Sequence, residues 1–229
     1  MKMMEEKKRI LIIEDDSEIN KLLRIMLTDK TVETVQAYSG TEGLLQLQMD
    51  RFDLILLDLM LPGKSGEELI GEIRKESEIP IIVISAKTDV DDKVSVLKIG
   101  ADDYITKPFH QREVAARVDV QLRKAGPSTQ KPVELVWRDL QLHTERRSVF
   151  LSGRLLQMTN AEFDILFLLM RQPERAFSKR EIYESIWKDT YYGDDNTISV
   201  HISNLRRKMA EHTSEEYIKT IWGVGFMLV

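Results

Sequence analysis

In the first 125 residues, short apolar runs alternate with segments whose apolar residues recur every three or four positions. Arg9–Ile13, Val32–Gln36, Asp53–Leu57, Ile79–Ile84 and Tyr104–Ile105 read as strands. The first, third and fourth are continuously apolar, the pattern of parallel strands buried on both faces. Helical spacing fills the gaps, over Ser17–Asp29, Thr41–Asp50, Gly66–Glu76, Val90–Ile99 and His110–Lys124. In the first of these, Ile19, Leu22, Leu23 and Met26 fall at i, i+3, i+4 and i+7 and predict one buried stripe. Strands and helices in strict alternation predict an α/β doubly wound, five-stranded parallel sheet. Such sheets bind ligands at the carboxyl ends of their strands, where the strand order reverses.

The pattern stops at Ala125-Gly-Pro-Ser-Thr-Gln-Lys-Pro132, a stretch with two prolines, a glycine and no apolar period. The chain therefore divides into a domain over 1–125, a linker over 126–132 and a second domain over 133–229. In the last of these, Val133–Trp137, Leu140–His143 and Ser148–Leu151 read as short strands. Helices are predicted over about Asn160–Met170, Ser178–Trp187 and Thr197–Ala210, then a terminal hairpin from Tyr217–Ile221 and Phe226–Val229 around a Gly-Val-Gly turn. This is an α+β domain.

Charge adds little about partners. The net charge of −5 lies wholly in the first 125 residues, with 19 basic against 24 acidic side chains; the remainder carries 14 of each. Nucleic-acid binding would thus need a local basic face. The chain has no cysteine, which excludes disulfides, thiolate zinc sites and a thiol nucleophile, and its four histidines lack metal-ligand spacing. No apolar run has the length of a secretory signal or a bilayer span, so a cytoplasmic protein without a membrane partner is expected.

Candidate chemistry gathers at the predicted strand ends. Glu14 and Asp15 follow the first strand and Asp58 the third. Like charges brought together repel, and a hard divalent cation such as Mg²⁺ relieves the repulsion with carboxylate and water ligands. Ser85 ends the fourth strand and Lys107 follows the fifth. One spare carboxylate beside a metal, a hydroxyl and an ammonium can accept a phosphoryl group. Asp16 and Ser17 have a plainer reading, as caps of the first helix.

ILIIEDD, LLDLMLPGKSG, VISAK and GADDYITKPF, in this order across Lys8–Lys124, resemble the receiver domains of response regulators, which have the flavodoxin-like fold. The resemblance implies that Asp58 is the phosphoacceptor, that Asp15, Asp58 and the Met60 carbonyl ligate Mg²⁺ with Glu14 completing the acid pocket, and that Ser85 and Lys107 hold the phosphoryl group. It implies a cis Lys107–Pro108 bond and a switch role for Tyr104, whose other reading is an edge-strand aromatic packed on the last helix. Lys93, Asp102, Asp103, Glu113 and Arg117 resemble the dimer face of the OmpR/PhoB subfamily, with Lys93–Glu113 and Asp103–Arg117 pairing across subunits. Lys98 and Lys124, both basic where a further acid–base pair belongs, depart from that set.

The stretch NTISVHISNLRRK places Ile198, Ile202 and Leu205 toward a core and leaves Asn196, His201, Asn204, Arg206, Arg207 and Lys208 on the exposed sides, with no acid from Asn196 through Ala210. On its own this helix reads equally as a basic solvated helix or as a groove reader. Together with Met158-Thr-Asn-Ala-Glu-Phe163, FSKREIYESIW and YIKTIWGVGF, it resembles the OmpR/PhoB winged-helix effector domain across Leu135–Val229, and the tail is similar to vancomycin-resistance-type regulators. The resemblance makes Asn196–Lys208 the recognition helix, with Thr197 at its start. It makes the hairpin around Trp222 the wing, where many relatives carry arginine, and leaves Lys219 and Thr220 as phosphate contacts. Lys188–Asp195 would face RNA polymerase.

These readings converge on a transcription regulator, not an enzyme: a sensor histidine kinase phosphorylates Asp58, a homodimer forms, and double-stranded DNA is bound. Two rivals stand beside it. A Mg²⁺-dependent aspartyl-phosphate phosphatase would need an acid–base group two residues after the nucleophile, where this chain has Met60. A DNA-binding protein indifferent to phosphorylation would have no need of five intact pocket residues.

Overall fold

The structure is a computed structural model that describes residues 7–124, 133–187 and 195–229. The chain divides into two compact units, Met1–Ala125 and Gly126–Val229. The expected linker lies outside the described residues.

In the first unit β1 (Lys8–Ile13), α1 (Ser17–Leu27), β2 (Val32–Ala37), α2 (Gly40–Met49), β3 (Leu54–Leu57), α3 (Gly66–Ile73), β4 (Ile81–Ser85), α4 (Val90–Ile99), β5 (Asp103–Thr106) and α5 (Gln111–Lys124) alternate as expected. The sheet is parallel, in the order β2-β1-β3-β4-β5. Every residue of β3 and β4 is buried, which is why their sequences show no polar alternation. On one face Ile10, Ile12, Leu54, Leu56, Ile82 and Ile84 pack against Leu23 and Leu27 of α1 and Val114, Val118 and Leu122 of α5.

Side-chain caps set the helix starts. Asp16 accepts from the amides of Glu18 and Ile19 at 2.8 and 3.1 Å, and Ser65 forms a capping box with Glu68. The buried side of α1 differs from the predicted stripe. Asn20, Leu23 and Leu27 are buried, whereas Leu22 is exposed. Ile19 and Met26 of the predicted stripe still pack against this core, and the Asn20 amide joins them where Leu22 was expected.

In the second unit β6 (Glu134–Trp137), β7 (Leu140–His143), β8 (Ser148–Leu151) and β9 (Arg154–Leu156) form an antiparallel sheet. Then follow α6 (Asn160–Met170), β10 (Ala176–Phe177), α7 (Lys179–Trp187), α8 (Asp195–Ala210), β11 (Ile218–Ile221) and β12 (Gly225–Leu228), with β10, β12 and β11 in a second sheet. β9 and β10 were not expected; they have three and two residues, too few to show a period. Gly225 is required where β12 meets β10: its φ is +155°, and a Cβ there would lie 2.0 Å from the Phe177 carbonyl oxygen. Among the described residues no helix is long and apolar enough to cross a membrane.

Candidate functional site

The strand order reverses between β1 and β3, and the acids emerge there. Ile13 and Leu57 are register partners, so Glu14 and Asp58 leave the sheet side by side, fixed further by the Asp58 amide on the Ile13 carbonyl at 2.9 Å. Glu14 and Asp58 are buried and Asp15 is exposed, and each offers an oxygen within 4.8 Å of the others. Lys107, directly after β5, donates to Asp58 Oδ2 at 2.6 Å and Glu14 Oε2 at 2.7 Å. Its own amide donates to the Ser85 carbonyl at 2.8 Å, which ties the lysine to the end of β4. The Lys107–Pro108 bond is cis. The Met60 amide donates to Asp58 Oδ1 at 3.1 Å, while the Met60 side chain is exposed.

Two carboxylates share one ammonium here. Burial pushes the Glu14 carboxyl up, the Lys107 hydrogen bond pulls it back, and the neighbouring Asp58 raises it again, for a net rise from 4.5 to about 7. Burial lowers Lys107, but its bonds to Asp58 and Glu14 outweigh that and hold it above the ordinary lysine value. The second Glu14 oxygen, Oε1, is buried with no hydrogen-bond partner. A buried carboxylate oxygen without a donor, beside an exposed and a buried aspartate, is a donor set that fits a hard cation such as Mg²⁺.

Ser85 is fully buried at this edge. Tyr104 lies inward, 8% exposed, with its hydroxyl donating to the Lys87 carbonyl at 2.7 Å and Lys93 Nζ 5.6 Å from its ring centroid. Burial raises its pKa, opposed by the Ser85 hydroxyl. Lys87, which the sequence reading passed over, donates to Glu67 of α3 at 2.8 Å and reaches Asp92 of α4 at 3.5 Å, bridging two helices beside the site.

Of the residues expected on the dimer face, Asp102 is corrected, and Asp103, Glu113 and Arg117 make ion pairs within the single chain. Asp102 is not a surface acid: it is fully buried and accepts from Arg74 at 3.0 Å and the Ile81 amide at 2.9 Å. Asp103 and Arg117 pair within one chain, through two bonds of 2.8 and 2.9 Å, and Arg117 also takes Glu113 at 3.1 Å. A guanidinium beside two nearby acids of its own domain has its fork filled locally.

In the second unit the three consecutive cations of α8 have separate environments. Arg206 donates to the Ile218 carbonyl at 2.9 Å and Thr220 Oγ1 at 3.0 Å, tying the helix to β11. Lys208 donates at 2.7 Å to Glu162, a buried acid that also closes the Thr159 capping box of α6, so it is no free cation. Arg207 is exposed. His201 and Asn204, expected on exposed sides, are buried, as is Thr197, and His201 stacks on Trp187 with centroids 6.1 Å apart. The helix's exposed or half-buried polar side instead carries Asn196, Ser199, Ser203 and Arg207. A groove of about 600 Å³ joins Lys179 and Arg180 at the start of α7, Ser199 and Arg206 of α8, and Thr220 and Trp222 of the hairpin. Lys179 and Arg180 escaped the sequence reading because nothing local distinguishes them from solvated lysines and arginines. Lys219 is exposed on β11, and Trp222 is 92% exposed at the hairpin tip. The segment 188–194 lies outside the described residues.

A doubly wound unit with an acid cluster at its switch point is followed by a separate unit whose described residues form two small antiparallel sheets and three helices, the two-domain arrangement expected of a receiver joined to an effector. Comparison with known proteins narrows the class. Residues 10–119 match the response regulator receiver domain and residues 153–228 the C-terminal domain of transcriptional regulatory proteins. The chain is 38% identical to the transcriptional regulatory protein YcbL of Bacillus subtilis, covering 95% of this chain and 99% of that one. It is 37% identical to the regulatory protein VanR of Enterococcus faecium, covering 96% and 98%. Among solved structures, the Thermotoga maritima OmpR/PhoB homologue DrrB matches with a TM-score of 0.53 at 27% identity, covering 97% of this chain and 99% of that one. The chain belongs to the OmpR/PhoB-type response regulators, the transcription factors of two-component systems.

Proposed function

We propose that a sensor histidine kinase phosphorylates this chain on Asp58, and that the acyl phosphate drives dimerisation and promoter binding in the cytoplasm. The observation that carries this reading is the Lys107 ammonium 2.6 Å from a buried Asp58 oxygen at the switch point, with Glu14 and Asp15 alongside. An Asp58 oxygen forms the new P–O bond as the P–N bond of the donor phosphohistidine breaks, and the imidazole leaves with the electron pair. Lys107 then faces the phosphoryl oxygens, and the Ser85 hydroxyl supplies a hydrogen bond from the other side. Asp15, Asp58 and the Met60 carbonyl, with Glu14 behind them, would hold Mg²⁺, which supplies positive charge for the transferring group.

The modified site signals through Tyr104, whose hydroxyl already rests on the β4–α4 loop. Dimerisation places two winged helices on neighbouring half-sites, raising the effective concentration of the second. That matters because the second unit carries no net charge. The segment Lys188–Asp195 serves as the RNA polymerase contact. Steady phosphatase turnover is not expected, since Met60 offers no acid–base group where an aspartyl-phosphatase needs one. After treatment with acetyl phosphate and Mg²⁺, the parent should gain one hydroxylamine-labile phosphoryl adduct on Asp58 by mass spectrometry. No adduct, or an equal adduct on Asp58→Ala, contradicts the assignment.

A further inference from the structure

Behind the acid cluster lies a buried polar group that the phosphoryl chemistry does not use. Asn20 is on the sheet-facing side of α1, fully buried, one turn before Leu23 and two turns before Leu27. A leucine would suit that position for packing, and an amide buried there costs free energy unless its hydrogen bonds are made. They are made at both ends. Asn20 Nδ2 donates to the Glu14 carbonyl at 2.8 Å and the Ala37 carbonyl at 3.1 Å, and Gln36 Nε2 donates to Asn20 Oδ1 at 2.8 Å.

The two carbonyls belong to the ends of β1 and β2. Ile12–Gln36 and Ile13–Ala37 are register partners, and the Glu14 amide itself donates to the Ala37 carbonyl at 3.1 Å. Asn20 thus closes a small buried network at the turn that carries both Glu14 and Asp15. A peptide group is planar, so fixing the Glu14 carbonyl also fixes the Glu14–Asp15 peptide plane and with it the Asp15 Cα. The Glu14 side chain leaves the same residue toward Lys107. The direction of one amide therefore sets the direction of two acids.

We infer that Asn20, held by Gln36, is a positioning residue for the cation site, aiming Glu14 and Asp15 from behind. The inference rests on the metal reading above. It assigns to α1 a role in the chemistry besides covering the sheet. Outer partners of this kind are typically worth 10- to 100-fold in metal affinity.

The test is Mg²⁺ titration of the unphosphorylated full chain by calorimetry, comparing the parent with Asn20→Leu and Gln36→Ala, each with a thermal melt. Asn20→Leu keeps the branched shape but replaces the polar atoms with bulkier methyls, so a packing role alone shows in the thermal melt and leaves the Mg²⁺ Kd unchanged. The positioning role predicts a Kd weakened by roughly 10-fold. In acetyl phosphate labelling, the loss should appear in the Mg²⁺ concentration needed and fade at saturating Mg²⁺. Gln36→Ala leaves Asn20 in place without its support and should shift Kd in the same direction by less; it carries the test if Asn20→Leu does not fold. Parent-like Mg²⁺ affinity in a folded Asn20→Leu, or in Gln36→Ala where only that variant folds, overturns the inference alone. A parent that binds no Mg²⁺ overturns the metal reading and this inference with it.

Discussion

Replacing Glu14 with glutamine should make the metal-free protein more stable at pH 8 while impairing its site. Glu14 is 2% exposed, and its carboxyl is raised from 4.5 to about 7, burial being the largest cause. The folded chain therefore keeps the Glu14 proton to higher pH than the unfolded chain does. This contribution to stability is fully present below about 4.5, declines as pH rises toward 7, and is absent above it. At about 1.4 kcal/mol per tenfold, the ionised carboxylate costs the fold about 3 kcal/mol at pH 8, net of its bond to Lys107. Glutamine imitates the protonated acid and removes that cost. Urea denaturation of the full chain in EDTA, at several values between pH 5 and pH 8, reads the difference between variant and parent. Far-ultraviolet circular dichroism reports both units, while Trp137, Trp187 and Trp222 all lie in the second and mark its transition separately. The two proteins should be similar near pH 5 and diverge by about 3 kcal/mol at pH 8, with Glu14→Gln the more stable. Mg²⁺ should narrow the gap by stabilising the parent. Parallel curves, or a variant less stable at pH 8, would refute the claim that Glu14 is an ionised acid held at a cost for its ligand.

Arg207→Gln should reduce the salt slope of DNA binding by about 0.9, the value for one phosphate contact, whereas Lys208→Gln should leave the slope unchanged, because its ammonium is engaged by Glu162. Equal slopes for the two variants, measured by fluorescence anisotropy across a salt series, would contradict that division. Arg74→Met should cost the first unit about 3–5 kcal/mol in the same denaturation assay, since it leaves the fully buried Asp102 carboxylate without its guanidinium. A loss typical of an exposed pair, under about 1 kcal/mol, would show that Asp102 is not a buried charge.

Much of this architecture is legible in the sequence where one physical rule governs a segment. β1, β3 and β4 are continuous apolar runs because they lie between two helical layers, and Glu14, Asp15, Asp58, Ser85 and Lys107 stand out because strand ends in a parallel sheet converge. Legibility fails where a residue's fate depends on a distant partner. Asp102 and Asp103 are neighbours of like charge, and nothing local reveals that Arg74, 28 residues earlier, claims the first. Arg207 and Lys208 differ by one step of helix, yet a buried acid 46 residues away takes the second. Asn20 lies off the stripe that the spacing predicts, so nothing local marks it as buried. Its place is set by two strand-end carbonyls, Glu14 and Ala37, that come within its reach only in the fold.

The central claim is that the state of Asp58 controls DNA binding. The most direct test takes a genomic fragment bound by the phosphorylated parent and measures its affinity, by anisotropy at fixed salt, for the parent and Asp58→Ala with and without acetyl phosphate and Mg²⁺. The phosphodonor should tighten binding by the parent in step with its dimerisation and leave Asp58→Ala unchanged. Equal affinity for both proteins under both conditions would contradict the claim.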